Sequence, residues 1–234
     1  MTVLYQPSMF DVLTHDVLTG DELTGDGPTD PTGRPSAPAS GGFGPLRGAI
    51  RRTELSDGAW VDHRPGWLAG SDAVLDTLLT QVPWRGEQRQ MYDRTVTVPR
   101  LLCWYSGAEP FPHPALAAAR RALNEHYRPA PADRFVTAGL CLYRDGADSV
   151  AWHGDRIGRG AHSDTMVAIV SVGSARSLML RPRGGGTGPR FRLGHGDLVV
   201  MGGSCQRTWE HAVPKTRQAV GPRVSIQFRP VGVA

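Results

Sequence analysis

The spacing of apolar residues changes along the chain and separates a helical part from a β-rich part. Residues 71–82 repeat apolar positions at helical spacing, which predicts a helix capped by Ser71 and ended by Pro83. Residues 113–127 carry alanine and leucine on one side and charged residues on the other, which predicts a second amphipathic helix. The helical spacing is lost after Pro131.

Short apolar runs separated by turn signals follow Pro131 and predict strands. Glycine-rich breaks such as residues 183–189 separate these runs, and residues 93–107 already alternate like a strand and a loop. Many short strands at regular spacing favour an antiparallel barrel or sandwich of the jelly-roll kind, so the fold class is α+β, mainly β. The predicted strands lie within 134–143, 149–153, 165–173, 176–182, 190–194, 197–203 and 223–230.

The N-terminal composition differs from that of the rest of the chain. Residues 18–44 are rich in Gly, Pro, Asp, Thr and Ser and poor in large apolar side chains. Such a segment cannot bury enough surface to offset the entropy lost on ordering. We therefore expect residues 1–45 to form a disordered acidic tail and residues 46–234 to form one folded domain.

Charge is distributed unevenly along the chain, whose formal net charge is +4. All 26 basic residues follow residue 33, and all of them except Lys215 are arginine. Arginine binds phosphates well, which is consistent with a nucleic-acid partner, but a composition that replaces lysine by arginine throughout gives the same pattern. The acidic residues before residue 34 are Asp11, Asp16, Asp21, Glu22, Asp26 and Asp30.

Several classes of protein are disfavoured by features that the sequence lacks. No apolar stretch approaches the roughly 20 residues of a membrane span, and the N-terminus has neither a basic start nor an apolar run. We expect neither membrane association nor a secretory signal. Cys103, Cys141 and Cys205 form no CxxC pair, which argues against a disulfide scaffold or a thiolate zinc site and suits a reducing cytoplasm.

A candidate metal site begins with His153 and Asp155, two residues apart at the end of a predicted strand. Side chains at this spacing point to the same face, so both can reach one ion. A third ligand is available at His211, just after the predicted strand 197–203. Two histidines and one carboxylate form the facial triad of non-haem Fe(II) oxygenases. The HxD pair alone is weak support, because such pairs also occur in solvated turns.

The last predicted strand offers a possible anion site. Its apolar residues alternate with Arg223, Ser225, Gln227 and Arg229, so one face is apolar and the other carries two guanidinium groups. A solvent-facing edge strand would show the same pattern. An oxygen-activating iron triad needs an anionic co-substrate beside it, however, and paired arginines bind carboxylates well.

Three segments together resemble the AlkB family of Fe(II)/2-oxoglutarate-dependent dioxygenases: "LYRDGADSVAWHGD", "WEHAVP" and "RVSIQFR". Their order and spacing match the family across residues 135–230. The resemblance implies a double-stranded β-helix, or jelly-roll, core. It also implies that His153, Asp155 and His211 bind Fe(II), with 2-oxoglutarate and dioxygen as co-substrates. On this basis residues 46–130 would form the lid and supporting helices, and residues 131–234 the jelly-roll core.

The resemblance also implies which residues bind 2-oxoglutarate. Tyr143, Arg223 and Arg229 match the family's tyrosine and paired arginines, and Ser225 lies between the two arginines. Family members usually carry an asparagine at the position of Cys141, which we assign to the same pocket. A cysteine lacks the amide group, so we expect co-substrate affinity to differ.

Substrate recognition is expected in the lid above the iron. Aromatic residues of this region could stack on an extruded base, although ordinary core packing explains Trp104 equally well. Repair members also carry an acidic residue where this chain has Ile157, so base recognition must use other groups. The candidate substrate-binding residues are Met91, Tyr92, Arg100, Trp104, Tyr105, Arg156 and Ile157.

The resemblance implies oxidative demethylation of N-alkylated bases, of the 1-methyladenine and 3-methylcytosine type, in DNA with release of formaldehyde. The damaged base would be flipped out or met in single-stranded form, RNA is a further candidate substrate, and we expect a monomer. An alternative is a dioxygenase that acts on RNA, protein or a small molecule. A second is a non-catalytic jelly-roll module that binds nucleic acid or a metal, but such a module needs neither the triad nor both arginines.

Overall fold

The computed structural model describes residues 42–91 and 94–233, with side chains described outside residues 89–96. This part of the chain contains three α-helices, α1 (Ser71–Gln81), α2 (Pro114–Tyr127) and α3 (Cys205–Thr208). Its strands are β1 (Arg51–Glu54), β2 (Ala59–Arg64), β3 (Arg85–Met91), β4 (Arg94–Tyr105), β5 (Thr137–Tyr143), β6 (Val150–His153), β7 (Val167–Gly173), β8 (Arg176–Pro182), β9 (Arg190–Leu193), β10 (Asp197–Gly203), β11 (Trp209–Val213) and β12 (Arg223–Arg229).

The strands form two antiparallel sheets that face each other. The larger sheet has the order β1-β2-β10-β7-β12-β5-β4-β3, and the smaller has the order β6-β11-β8-β9. Apolar residues of both sheets, such as Ile169 and Leu180, share one buried cluster between them. The predicted fold class, mainly β with a jelly-roll core and helices, is confirmed.

A second buried cluster lies on the opposite face of the larger sheet, beneath the helices. Val224, Ile226 and Phe228 of β12 pack there with Leu78 of α1 and Leu116 of α2. Because side chains alternate along a strand, the polar side chains of β12 point the other way, between the sheets. β12 lies between β5 and β7, so it is not the solvent-facing edge strand that its alternation would also fit.

Both predicted helices are present, with one correction at a helix start. Gly70, in the left-handed conformation (φ +67°), is the N-cap of α1. Ser71 instead donates its hydroxyl to the carbonyl of Leu68 (2.6 Å). His113 caps α2, because its Nδ1 accepts the N–H of Ala115 (3.1 Å). No helix in the described ranges is long and apolar enough to cross a bilayer.

The N-terminal half contributes strands that the sequence pattern did not predict. β1 and β2 extend the larger sheet beside β10, and β3 extends it beside β4, so residues 46–130 form part of the sheet as well as supporting helices. β2 was missed because its polar Asp62 is buried. That carboxylate accepts hydrogen bonds from Arg52 Nε (2.7 Å) and the Tyr127 hydroxyl (2.9 Å).

Residues 42–45, which the sequence assigned to the disordered tail, are in contact with the folded domain. Phe43 forms a bridge with Leu68, and the Gly44 N–H donates to the carbonyl of Trp67 (2.7 Å). The predicted disorder of the tail falls otherwise on residues 1–41, which lie outside the described residues.

Truncation of Phe228 should measure how much the helix-covered layer stabilises the fold. Phe228 is fully buried between β12 and the helices. We expect Phe228→Ala to lower the free energy of unfolding by about 3–5 kcal/mol, through lost burial and the cavity left behind. Urea denaturation measures this, with Val231→Ala as the control because Val231 is 55% exposed. Equal unfolding midpoints for the two variants would contradict the assigned packing.

Candidate active site

The three predicted metal ligands converge where the smaller sheet meets the loop after β6. His153 ends β6 and is the direct cross-strand partner of His211 on β11, with ring centroids 4.2 Å apart. Asp155 follows two residues later and is buried. One ligand atom from each of the three residues lies within 4.8 Å of the others. The fold therefore brings together residues that are far apart in sequence.

The Asp155 carboxylate is held by one of its oxygens. Arg229 donates to Oδ2 through Nε (2.9 Å), and its Nη2 forms an ion-pair contact with the same oxygen (2.8 Å). The backbone N–H of Asp155 donates to Oε1 of Gln206 (3.0 Å). The other oxygen, Oδ1, is buried and has no hydrogen-bond partner within the described residues. Because a buried, unpaired carboxylate oxygen is costly, Oδ1 fits the role of a metal ligand.

Electrostatics favour the protonation states that a metal site requires. Burial raises the pKa of Asp155, but the Arg229 guanidinium and the two neighbouring histidines outweigh it, lowering the pKa to about 2. Burial, reinforced by His153, lowers the pKa of His211 to about 3, and burial also lowers the pKa of His153. Asp155 is therefore ionised and both imidazoles are neutral at physiological pH, as metal binding requires.

His153 is also fixed in its orientation. Its Nδ1 lies 2.9 Å from the carbonyl oxygen of Ala151. A carbonyl only accepts, so Nδ1 carries the proton and Nε2 keeps its lone pair. A hydrogen bond from the ring nitrogen that does not bind the metal usually orients a metal-binding histidine. Two neutral imidazoles and one ionised carboxylate, with open positions beside them, fit Fe(II).

The polar face of β12 borders the same pocket. Arg223 is directly opposite Tyr143 of β5, and Ser225 is opposite Cys141. All four residues line the pocket together with both triad histidines and Arg229. The structure thus brings the predicted co-substrate residues beside the metal site. Arg229 is already bonded to Asp155, so it orients the metal ligand as well as lining the pocket.

Arg223 is a buried, well-anchored cation that lines this pocket. Its Nε donates to the Ser171 hydroxyl (2.8 Å), and its guanidinium carbon lies 5.0 Å from the ring centroid of Tyr143. Its Nη1 is buried without a hydrogen-bond partner in the described ranges. An incoming carboxylate would satisfy that donor, so the residues fit 2-oxoglutarate.

Tyr143 is held between charged neighbours and remains a phenol. Burial raises the pKa of Tyr143. Burial lowers the pKa of Arg223, although Tyr143 and Cys141 oppose that change. Arg176, whose guanidinium carbon is 5.6 Å from the Tyr143 ring centroid, donates to the carbonyls of Asp145, Asp148 and Pro214. The protonated phenol can therefore donate a hydrogen bond into the pocket.

The predicted substrate residues on β4 lie on opposite faces of the strand, because side chains alternate along it. Arg100 lines the pocket, and Trp104 lies on the same face of β4 as the buried Leu102. Tyr105 faces the helix layer, where its ring centroid is 5.8 Å from that of Phe111. The structure therefore does not bring Tyr105 together with the other candidates.

The structure describes the remaining candidate substrate-binding residues only in part. The side chain of Met91 and the whole of Tyr92 lie outside the described residues. Arg156 and Ile157 directly follow Asp155 and are partly buried. Their roles in substrate binding stay predictions.

Four supporting residues were absent from the predicted site: Ser171, Arg176, Gln206 and Gln227. Ser171 interrupts the apolar run of β7 on the inward face, and Gln227 lies on the polar face of β12, so both carried a signal in the sequence. Gln206 carried no signal in the sequence, because its contact with Asp155 arises only when α3 packs against the loop after β6.

Comparison with known proteins identifies the family. A family model described as the 2OG-Fe(II) oxygenase superfamily matches residues 69–229. The alpha-ketoglutarate-dependent dioxygenase alkB homolog 3 of Mus musculus is 32% identical over 190 residues, which cover 71% of this chain and 64% of that protein. The DNA oxidative demethylase ALKBH2 of Arabidopsis thaliana is 29% identical, over 66% of this chain and 60% of that protein. The chain therefore spans about two thirds or less of the length of these relatives.

A solved structure supports the fold. The prolyl hydroxylase from Trichoplax adhaerens, in complex with a hypoxia inducible factor oxygen degradation domain peptide fragment, superposes with a TM-score of 0.52 at 13% identity. The superposition covers 76% of this chain and 84% of the prolyl hydroxylase chain. The chain belongs to the 2OG-Fe(II) oxygenase superfamily and, within it, to the AlkB family. The superfamily uses Fe(II), 2-oxoglutarate and dioxygen, as the sequence predicted.

Proposed function

We propose that this protein demethylates N-alkylated bases in DNA, of the 1-methyladenine and 3-methylcytosine type, in a reaction that consumes 2-oxoglutarate and dioxygen. The observation that carries the proposal is the triad of His153, Asp155 and His211, whose two histidines line the same pocket as the anchored Arg223. Relatives named as a DNA oxidative demethylase and as alkB homologues support the substrate class.

Each part of the pocket has a distinct task in this reaction. The triad would hold Fe(II), while Arg223 and the Tyr143 phenol would receive a carboxylate of 2-oxoglutarate. The loaded centre supplies the oxidising power to hydroxylate the N-methyl carbon, after which the adduct releases formaldehyde. Arg229 keeps Asp155 ionised and oriented throughout.

Two residues of β4 offer groups suited to an extruded base. A methyl group buried in duplex DNA cannot reach an enclosed metal, so the base must be flipped out or presented in a single strand. Trp104 provides an aromatic surface on the pocket side of β4, and Arg100 provides a cation that contacts the carbonyl of Ser149 (3.4 Å). Aromatic stacking and arginine contacts are the usual means of holding single-stranded bases.

The direct test is mass spectrometry of a single-stranded oligonucleotide with one 3-methylcytosine. The oligonucleotide is incubated with the protein, Fe(II), ascorbate and 2-oxoglutarate, with His153→Ala as the matched control. We expect loss of one methyl mass that requires 2-oxoglutarate and is absent in the variant. Succinate without loss of the methyl group would contradict the substrate and leave an oxygenase with another target, such as RNA, protein or a small molecule.

Trp104 should affect use of the oligonucleotide more than use of 2-oxoglutarate. Base stacking on an aromatic side chain contributes about 1–3 kcal/mol, so Trp104→Ala should raise KM for the oligonucleotide by about 5- to 150-fold. Steady-state kinetics with each substrate varied in turn measure this, with Tyr105→Phe as the control on the opposite face of β4. An unchanged KM for the oligonucleotide would assign Trp104 to core packing.

A further inference from the structure

Asp155 is the member of the triad that lies on a loop rather than on a strand. His153 ends β6 and His211 lies within β11, whereas Asp155 comes two residues after the end of β6. Arg229 holds its carboxylate, and Gln206 accepts its backbone N–H. A metal ligand must be held within about 0.5 Å of its working position, so the course of the loop beyond Asp155 also matters.

The loop beyond Asp155 is held by the segment that follows β12, residues 230–233. The backbone N–H of Arg159 donates to the carbonyl of Gly232 (2.8 Å), and Gly158 forms an antiparallel β-bridge with Val233. Val233 is buried and packs in the cluster between the two sheets. The loop is therefore attached to the folded core by backbone pairing and by one apolar side chain.

Gly160 connects Val233 to the metal ligand. A side-chain carbon on Gly160 would overlap the carbonyl oxygen of Asp155 and would lie 3.6 Å from Cγ1 of Val233. The backbone of Gly160 thus lies directly between the backbone of Asp155 and the Val233 side chain. Its φ is outside the left-handed region, so an alanine here could adopt the same backbone and would act only through these two contacts.

We propose that Val233 is a positioning residue for the metal site. It packs on Gly160, which holds the Asp155 backbone where the carboxylate meets the two histidines. The inference rests on the metal chemistry of the proposed function and is independent of the 2-oxoglutarate pocket and of the nucleic-acid substrate. If Val233 only completed the core, its truncation would lower stability and leave the metal affinity of the folded protein unchanged.

The stretch from Arg229 to Val233 reaches Asp155 by two routes. Arg229, the last residue of β12, bonds the carboxylate directly. Val233 acts four residues later, through Gly160, on the backbone of the same aspartate. Loss of the second route lets the loop move relative to β12 while the Arg229 bond remains, which changes the angle at which the carboxylate faces the histidines.

The test is titration of Mn(II) into the metal-free, full-length protein, followed by electron paramagnetic resonance, so that no turnover is needed. Gly160→Ala should weaken Mn(II) binding by about 10- to 100-fold, the range for residues that hold metal ligands. Val233→Ala keeps the backbone pairing and should weaken it by about 2- to 30-fold. The matched controls are Gly86→Ala, whose new methyl meets nothing closer than 3.8 Å, and Val231→Ala, at an exposed valine; both should match the wild type.

A double variant separates this positioning role from two unrelated effects. Truncation of Val233 leaves room into which a methyl group at position 160 can shift. Gly160→Ala/Val233→Ala should therefore bind Mn(II) at least about twofold more tightly than the product of the two single effects predicts. Hydrogen exchange followed by mass spectrometry should also show faster exchange of the Arg159 amide in Val233→Ala than in the wild type.

Circular dichroism shows which variants are folded, and Val233→Ala alone decides the matter if Gly160→Ala does not fold. Wild-type Mn(II) affinity in the folded variants, with wild-type protein binding normally, would overturn the positioning role and leave the proposed function intact. Single effects that simply multiply in the double variant would also overturn it. Wild-type protein that binds no Mn(II) would overturn the positioning role and the proposed function together.

Discussion

His211→Ala is expected to bind Fe(II) at least about 100-fold more weakly than the wild type and to lose all turnover. Loss of a residue that only hydrogen-bonds to a metal ligand already lowers metal affinity by about 10- to 100-fold, and His211 is itself a candidate ligand. The alanine also leaves the Asp155 Oδ1 and His153 ligand atoms without their third partner. Metal titration followed by elemental analysis of the dialysed protein measures the loss.

The control for this variant is His162→Ala, because His162 is exposed and outside the triad. Its iron content should equal that of the wild type. Thermal unfolding of the metal-free proteins shows whether His211→Ala remains folded. Iron binding of wild-type strength in folded His211→Ala would contradict the assigned metal site.

Arg223→Met is expected to weaken 2-oxoglutarate binding by about 30- to 5000-fold. Truncating one partner of a buried, hydrogen-bonded charge pair costs about 2–5 kcal/mol, and Arg223 is buried with no hydrogen-bond partner for Nη1 in the described part of the chain. Arg223→Lys keeps the charge but loses the fork that also bonds Ser171, so it should fall between the wild type and Arg223→Met.

Anaerobic calorimetry with Mn(II)-loaded protein measures both Arg223 variants. Arg217→Met is the control, since Arg217 is exposed. Metal affinity should change little in either Arg223 variant, because Asp155 is held by Arg229 and not by Arg223. Equal 2-oxoglutarate affinities for the wild type and Arg223→Met would contradict the location of the carboxylate site.

Local spacing was sufficient to predict the parts of the site that lie close together in sequence. Arg223 and Arg229 share a face of β12, as the period of a strand predicts. His153 ends β6 and Asp155 lies two residues later in the following loop, so their short separation in sequence keeps the two side chains together. His211 was available in the sequence as a third ligand, and the family resemblance implied that it binds the metal, but no local pattern shows that β11 pairs with β6. The alternation of β12 was also visible, but its burial depends on β5 and β7, which flank it in the sheet.

The features that sequence did not predict all depend on contacts between distant segments. The burial of Asp62 in β2 depends on Arg52 and Tyr127, and the bond between Arg229 and Asp155 joins β12 to the loop after β6. Trp104 and Tyr105 are adjacent aromatic residues, and the sequence gives no reason to prefer one of them as a substrate contact. Only the pairing of β4 with β5 in the sheet shows which face of the strand each side chain occupies.

Succinate formation from 2-oxoglutarate, followed by nuclear magnetic resonance with the 3-methylcytosine oligonucleotide present, shows whether the triad and the arginine-lined pocket form a working Fe(II)/2-oxoglutarate centre. We expect succinate only when both Fe(II) and wild-type protein are present, and none with His153→Ala. If wild-type protein with bound iron forms no succinate, the triad and the pocket are not such a centre.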